Sequence, residues 1–568
     1  MKKKIESREY VIPDHLDYYK GSIYDAFARS AFSHPRNMAY EFMGRKASYR
    51  EMAEEVELCA NALSASGVKS GECVTIALPN CPQALVLFYA INRIGAIVSI
   101  IHPLSSERDI DYYLKITDSV MVVTLDMLYD KFVHVIGKTK VRKLVVTGIQ
   151  DGLSIVKKVG YKVTQGRKTE KIKENEYVDR WHGFLKSGKN FDGGGSAVMD
   201  PDGTAVILFS GGTTGNVKGV SLTNMNFNAL AMQIKATTPI FTDKDKFIAA
   251  MPLFHGFGLG TCVHCMIFEG AGIILVPKFT PDSYAKLISK SKCSYFAGVP
   301  TLFEGILRAV KTDNLDFSNL KGVFSGGDSL PADLKERFDR FLAEHNSPVG
   351  IREGYGATET LAACCLTPMD KTKAKTGSIG VMFPDTYSKI VDMGTKQEVP
   401  VGEVGEILVS GPTVMKEYRG NAEETAKALE KDENGRIWLH TGDLGYVDSD
   451  GYLYFKDRAK RMIIASGYNV YPNQIEAVLN ECEKVSASCV IGVHDSYRMQ
   501  RIKAFVVLNN PSDASDAVKK ELIAYCKKNV SRYAVPKEIE FRNELPKTKL
   551  GKIDFKALEK EEAQADFS

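Results

Sequence analysis

Along the first third of the chain, short apolar runs alternate with stretches of helical spacing, and this alternation limits the fold more than any other feature. Residues 49–65 carry apolar side chains at helical intervals and stop before Gly67. Residues 72–78 are short and β-rich, and residues 82–94 are helical again up to Gly95. Residues 96–101 are apolar and β-branched, residues 106–117 start a helix behind Ser106, and residues 120–124 read as another buried strand. Strands apolar on both faces and joined through helices predict βαβ units, with a parallel sheet covered on both sides. The alternation resumes at Ala205 and runs to about residue 410; a separate α/β block follows from Arg458. A chain of 568 residues exceeds what one core usually serves. The expected fold is therefore α/β: a large N-terminal domain, residues 1–457, of layered, mostly parallel sheets with flanking helices, and a small α/β domain, residues 458–568.

Charge and cysteine usage narrow the setting. A net charge of +4 over the whole length gives no case for a nucleic-acid surface. From Arg458 onward there are 19 lysines and arginines against 15 acids, so the entire excess lies in the last block. That suits a small module meeting an anion. The 11 scattered cysteines read as reduced intracellular thiols and not as a disulfide framework. Met1-Lys2-Lys3-Lys4 is basic but no apolar core follows it, so no secretory signal is expected. The longest apolar candidate, residues 85–104, is broken by Asn92-Arg93, so no membrane span is expected and the protein reads as cytoplasmic. Residues 155–202 interrupt the pattern, first basic (Lys157, Lys158, Lys162, Arg167, Lys168, Lys171, Lys173), then glycine-rich at Gly193-Gly194-Gly195. They read as a surface insertion, with a peripheral contact at the inner face of an anionic membrane as the second reading.

The chemistry concentrates in a few segments. An apolar run, Ile207-Leu208-Phe209, enters Ser210-Gly211-Gly212-Thr213-Thr214-Gly215-Asn216-Val217-Lys218-Gly219, and a helical stretch follows from Asn224. Glycines let backbone N–H groups turn inward as an anion nest, hydroxyls add donors, and the lysine adds a point charge. This is phosphate-cradling chemistry without a Walker A string. A flexible turn is the plain alternative for the loop alone. In order behind it come Phe324-Ser325-Gly326-Gly327-Asp328, Gly354-Tyr355-Gly356-Ala357-Thr358-Glu359, Thr441-Gly442-Asp443, Lys456-Asp457-Arg458, Ser466-Gly467-Tyr468-Asn469 and Leu545-Pro546-Lys547-Thr548-Lys549-Leu550-Gly551-Lys552.

In this order and spacing the segments resemble the acyl-adenylate-forming enzymes: acyl-CoA synthetases, peptide-synthetase adenylation domains and beetle luciferases. The resemblance spans roughly residues 25–560. It implies ATP, Mg²⁺ and coenzyme A as cofactors. It implies that Ser210, Gly211, Gly212, Thr213, Thr214, Gly215 and Lys218 hold the β- and γ-phosphates. Gly326, Gly327 and Asp328 would wall the adenine, and Tyr355, between Gly354 and Gly356, would stack on it. Thr358 would bond the α-phosphate, and Glu359, with Thr213, would hold Mg²⁺. Asp443 would accept from the ribose hydroxyls beside Arg458, and Lys552 would reach the α-phosphate and the substrate carboxylate. The last block would pivot near Lys460 and present Ser466, Gly467 and Tyr468 to the incoming thiol. One departure is Val217, where the family usually has a proline. Taken singly, Asp443 also reads as a turn residue, Tyr355 as a core aromatic and Lys552 as a solvated lysine; their order within one set favours the implied roles.

Physical chemistry supports the set, because a carboxylate attacking ATP joins two anions whose repulsion fixed cations and a metal must offset. Mg²⁺ takes one or two protein carboxylates plus phosphate oxygens, which fits a single Glu359. Pro252-Leu253-Phe254-His255-Gly256-Phe257-Gly258 resembles the acyl-pocket segment, with His255 where the family gates the carboxylate. The absence of an aspartate there weighs against an amino-acid substrate. Phe296-Ala297-Gly298 would leave room for a chain or ring. The expected activity is AMP-forming acyl-CoA synthesis on a hydrophobic carboxylic acid, a medium- or long-chain fatty acid. The rivals are a ligase loading a phosphopantetheinyl carrier protein, an aryl-CoA ligase, and a binding protein that has lost catalysis. Cys262 and Cys265 have CxxC spacing but no second pair to complete a zinc site, so they read as packed helix.

Overall fold

The computed structural model describes residues 12–154, 157–158, 172–189, 191, 197, 200–210, 217–309, 314–370, 372–465, 468–495, 499–530, 534–548 and 552–565. The chain forms two compact units. One comprises the chain up to Ser388 together with Val409–His440; the other comprises Lys389–Leu408 and the chain from Thr441 onward.

The expected βαβ pattern is present nearly residue for residue. Helix Tyr49–Ala65 is followed by strand Cys73–Ala77, helix Pro82–Arg93, strand Ile97–Ile100, helix Glu107–Thr117 and strand Ser119–Leu125. Ser106 caps its helix by accepting from the Asp109 N–H, while the Asp109 carboxylate accepts from the Ser106 N–H. These strands lie in an eight-stranded sheet in the order Glu417–Tyr418, Lys218–Thr223, Thr204–Ser210, Ile97–Ile100, Cys73–Ala77, Ser119–Leu125, Lys143–Thr147, Val178–Arg180. Its pairs are parallel except for the first two, so the Thr204–Ser210 and Lys218–Thr223 strands make a hairpin at one side. A nine-stranded sheet completes the unit, its central strands Gly272–Leu275, Lys246–Ala249, Tyr295–Gly298, Gly322–Ser325 and Ile351–Tyr355 all parallel.

Every residue of Pro82–Arg93 is buried, as an all-round apolar helix requires. It packs on Cys73–Ala77 and Ile97–Ile100 and is covered by helices Ile23–Ser33 and Tyr49–Ala65. Its buried polar residues Gln83, Asn92 and Arg93 find partners; Gln83 donates to Thr147 Oγ1 at 3.0 Å and to the Gly148 carbonyl at 2.9 Å. Asn92 donates to Asn224 Oδ1 at 3.0 Å and accepts from the Tyr24 N–H at 2.8 Å, and Arg93 pairs with Glu57 at 2.5 Å. Buried polar groups persist where such partners exist. Among the described residues no helix is long and apolar enough to cross a membrane. All 11 cysteines are free, and Cys262 and Cys265 are packed inside as expected.

Residues 155–202 depart in part from a surface insertion. Val178–Arg180 is the edge strand of the eight-stranded sheet, and helix Trp181–Lys189 buries Trp181 and Phe184 against Tyr49–Ala65. Lys157 donates to the Met43 carbonyl and Lys158 to Asp151. Lys162, Arg167, Lys168, Lys171 and the glycine run lie outside the described residues. The reason is compositional: two aromatics suffice to dock a nine-residue helix whose remaining surface is polar.

The second unit holds a sheet of Tyr468–Val470, Ile463–Ala465, Met499–Leu508, Val485–Asp495 and Glu538–Phe541, with helices Pro472–Asn480, Asp516–Asn529 and Phe555–Ala565. It also contains the antiparallel pair formed by Asp443–Val447, the end of the strand Ile437–Val447, and the strand Leu453–Arg458.

Candidate active site

In the first unit the candidate residues converge through strand ends. Ser210 closes its strand and faces Lys218 across the hairpin, so the intervening loop starts and ends at one place. Gly211, Gly212, Thr213, Thr214 and Gly215 lie outside the described residues. Tyr112 donates to the Val217 carbonyl at 2.8 Å and so holds the backbone just before the lysine.

Strands Gly322–Ser325 and Ile351–Tyr355 run parallel with Ser325 opposite Glu353, which brings the two glycine motifs to the same sheet end. A Cβ on Gly326 would lie 3.5 Å from the Gly354 carbonyl oxygen and 3.5 Å from the Phe257 ring. Gly327 has φ +81°, a turn that glycine makes without strain, and Asp328 is exposed beside it. Tyr355 is half-exposed on the last position of its strand.

Two further glycines are demanded by close approach. A Cβ on Gly256 would sit 2.0 Å from the Leu361 carbonyl oxygen, and one on Gly356 would sit 2.3 Å from that of Ala362. The segment carrying His255 therefore lies directly on the turn Thr358–Thr360. His255 is half-buried; its Nδ1 accepts from the Phe257 N–H at 3.3 Å. From Phe257 to His264 the backbone is a π-helix, a rare form that recurs near functional sites. His264 ends it, fully buried between Asn228 and Tyr89, and burial pushes its pKa down to about 3, so it stays neutral.

The turn Thr358–Thr360 lies against both hairpin strands, Thr204–Ser210 and Lys218–Thr223. Glu359 is held on two sides: its carbonyl accepts from the Met415 N–H at 2.8 Å, and its Oε1 from the Tyr418 hydroxyl at 3.0 Å. Its Oε2 has no hydrogen-bond or ion-pair partner among the described residues. The Tyr418 ring also carries Lys218, whose Nζ lies 4.3 Å from the ring centroid. Lys218 pairs with Glu424 Oε2 at 2.5 Å. Burial, and then the neighbouring Glu359, push the Tyr418 phenol well up, so it is a donor at any ordinary pH. A chain Glu424–Lys218–Tyr418–Glu359 thus sets a cation and a carboxylate on either side of one tyrosine. A carboxylate with one oxygen fixed and the other without a partner, near a cationic loop end, fits Mg²⁺ coordination shared with phosphate oxygens. Thr358, in the same turn, has no side-chain hydrogen bond among the described residues.

Tyr418 and Glu424 escaped the sequence reading. The signal was present in Glu417-Tyr418-Arg419-Gly420-Asn421-Ala422-Glu423-Glu424-Thr425, where Asn421 caps the helix Ala422–Ala428. Thr425 accepts from the Tyr418 N–H at 2.9 Å, which locks the tyrosine to that helix.

In the second unit, Asp443 faces Arg458 across an antiparallel pair, with Arg458 Nε 3.5 Å from Asp443 Oδ1. Thr441-Gly442-Asp443 lies within the strand Ile437–Val447 and not in a turn; Gly442 takes φ +69°, and Thr441 donates to the Ile407 carbonyl at 2.6 Å, which anchors the segment. Asp457 is buried and accepts from the Arg458 and Asn473 N–H groups; burial pushes its pKa up to about 6. Arg461 pairs with Glu476 at 2.5 Å and lies over Phe555, anchoring the short turn Ala459–Arg461 that contains Lys460. Lys552 is half-buried in a turn where its carbonyl accepts from the Thr548 N–H at 2.7 Å. Ser466 and Gly467 lie outside the described residues, and Tyr468 is described only as the first residue of its strand.

Comparison with known proteins decides the family. The AMP-binding enzyme family matches residues 27–419, and its C-terminal domain matches residues 474–552. The chain belongs to the AMP-binding enzyme family. It is similar to the long-chain-fatty-acid–CoA ligase of Bacillus subtilis (strain 168), with 34% identity over 97% of both chains. It is 32% identical to the long-chain-fatty-acid–CoA ligase of Salmonella typhimurium LT2, over 94% of this chain and 93% of that one. Among solved structures it resembles the ATP-bound RpMatB-BxBclM chimera B3 with a TM-score of 0.81 and 26% identity, covering 95% of this chain and 99% of the other.

Proposed function

We propose that the acid activated by this AMP-forming acyl-CoA synthetase is a long-chain fatty acid. The enzyme is an acid–thiol ligase that uses ATP, Mg²⁺ and coenzyme A. The observation that carries the chemistry is the juxtaposition of Lys218 and Glu359 through Tyr418 at the end of the Ser210 hairpin. The choice of acid draws on the names of full-length relatives and on the apolar Pro252–Gly258 and Phe296–Gly298 segments.

In this reading Lys218 takes polyphosphate oxygens and Glu359 would hold Mg²⁺, which would supply charge neutralisation for two anions that must meet. Thr358 donates to the α-phosphate. The acid carboxylate attacks the α-phosphorus and pyrophosphate leaves; the CoA thiolate then attacks the acyl carbon and AMP leaves. Gly326, Gly327 and Tyr355 take the adenine, Asp443 the ribose, and Lys552 serves the first step. His255, on the segment that abuts the Thr358 turn, borders the carboxylate. Asp443→Ala is expected to raise the KM for ATP far more than that for the acid; equal rises remove Asp443 from the nucleotide.

The test is pyrophosphate release over a panel of acids of increasing chain length, with thioester measured for free CoA and for a phosphopantetheinyl carrier. Highest kcat/KM for long-chain acids with CoA is expected. Preference for aryl acids, or thioester on the carrier alone, would overturn the reading.

A further inference from the structure

The lysine that the proposed function assigns to phosphate already has an anionic partner. Glu424 Oε2 lies 2.5 Å from Lys218 Nζ. Both groups are firmly placed. The Lys218 backbone is paired with Ser210, the preceding carbonyl is held by Tyr112, and the Tyr418 ring supports the ammonium. Glu424 sits in the first turn of helix Ala422–Ala428, its N–H donated to Asn421 Oδ1 at 3.0 Å, and its Oε1 accepts from Lys427 at 3.1 Å. Lys218 and then Lys427 hold the Glu424 carboxyl below the usual range, so it is charged at neutral pH.

We propose that Glu424 is a release group for the polyphosphate: it holds Lys218 when no phosphate is bound and takes it back as pyrophosphate leaves. This rests on the reading of Lys218 as a phosphate ligand. The physical case has two parts of the same sign. A carboxylate at contact distance competes for the donors of Lys218, and its charge repels the incoming phosphates. The pair is partly open to water, which keeps it weak enough for a polyanion to displace. Being tethered, Glu424 stays at high local concentration, so it recaptures the lysine as soon as a phosphate oxygen lets go. Without it, the product pyrophosphate would meet an unopposed cation and leave more slowly.

The test titrates Mg-ATP and Mg-pyrophosphate onto the full-length protein by calorimetry, with Glu424→Gln, Glu424→Ala, Glu423→Gln and Lys218→Ala. Glu423 bonds Lys427 and not Lys218, so its replacement removes the same charge one residue away. Both Glu424 variants are expected to bind pyrophosphate and ATP about two- to five-fold more tightly, the range a partly solvated pair commonly supplies. Glu423→Gln is expected to match the parent. Unchanged or weaker binding by the Glu424 variants, or equal tightening by Glu423→Gln, would overturn the proposal. Lys218→Ala is expected to weaken both ligands at least about ten-fold, as loss of a charge-assisted contact does. If it binds them like the parent, the phosphate role of Lys218 fails, and the release role fails with it.

Discussion

Tyr418 does two jobs with two parts of one side chain, and the parts separate by mutation. Phenylalanine keeps the ring under Lys218 and removes the hydroxyl that holds Glu359 Oε1. A hydrogen bond to a charged group contributes about 1.5–3 kcal/mol. Tyr418→Phe is therefore expected to raise the Mg²⁺ concentration needed for half-maximal adenylation about ten-fold, while ATP binding without metal, read by calorimetry, stays unchanged. A loss of metal-free binding as well would mean that the ring had moved. Glu353 offers a second residue-scale test. It precedes Gly354 in its strand, and burial, helped by Asp339 and opposed by Lys335, pushes its carboxyl up to about 7. A carboxyl raised in the folded state binds protons more tightly there than when unfolded. Its contribution to stability is largest below the ordinary value and declines as pH rises toward about 7. Glu353→Gln removes that decline. Melting curves are expected to show the variant gaining on the parent between pH 5 and pH 8; a constant difference would show that the carboxyl titrates normally.

At the scale of elements, the sequence was most legible where pattern is local. The helix over residues 49–65 and the Ser106 cap follow from spacing and side-chain hydrogen bonding alone, and both are found. The π-helix Phe257–His264 was not legible in the spacing; it packs on helix Asn224–Thr237 and strand Lys246–Ala249, neighbours that only the fold supplies. Gly256 and Gly258 belong to one motif, but the reasons for them differ: the distant Leu361 carbonyl occupies the space a Cβ on Gly256 would need, and the carbonyl of Pro252, in the same segment, that of Gly258. Gly256→Ala is expected to destabilise the protein by about 1–3 kcal/mol, as overpacking does. Because the displaced carbonyl follows Thr358 and Glu359, kcat/KM should fall more than the melting shift explains. Loss of stability with kinetics intact would separate the segment from the site.

For the whole molecule, two units carry the candidate residues: Lys218, His255, Tyr355 and Glu359 in one, Asp443, Arg458 and Lys552 in the other. The role proposed for Lys552 is confined to the first half-reaction. Lys552→Ala is expected to lower acyl-AMP formation by more than about 100-fold while thioester formation from supplied acyl-AMP stays within about three-fold, in keeping with the size of charge stabilisation at a transition state. Equal loss in both would remove that distinction. By itself the amino-acid order determined the α/β class, the family resemblance and which residues are candidates for the site, because hydrophobic period, caps and glycine-lysine-carboxylate motifs are written in neighbouring positions. Only the tertiary structure decided that Tyr418 would join Lys218 to Glu359, that Glu424 would neutralise the lysine, and that Val178–Arg180 would extend a sheet. Those outcomes depend on strands far apart in the chain pairing side by side, and pairing is settled by how apolar faces are buried together across the whole core.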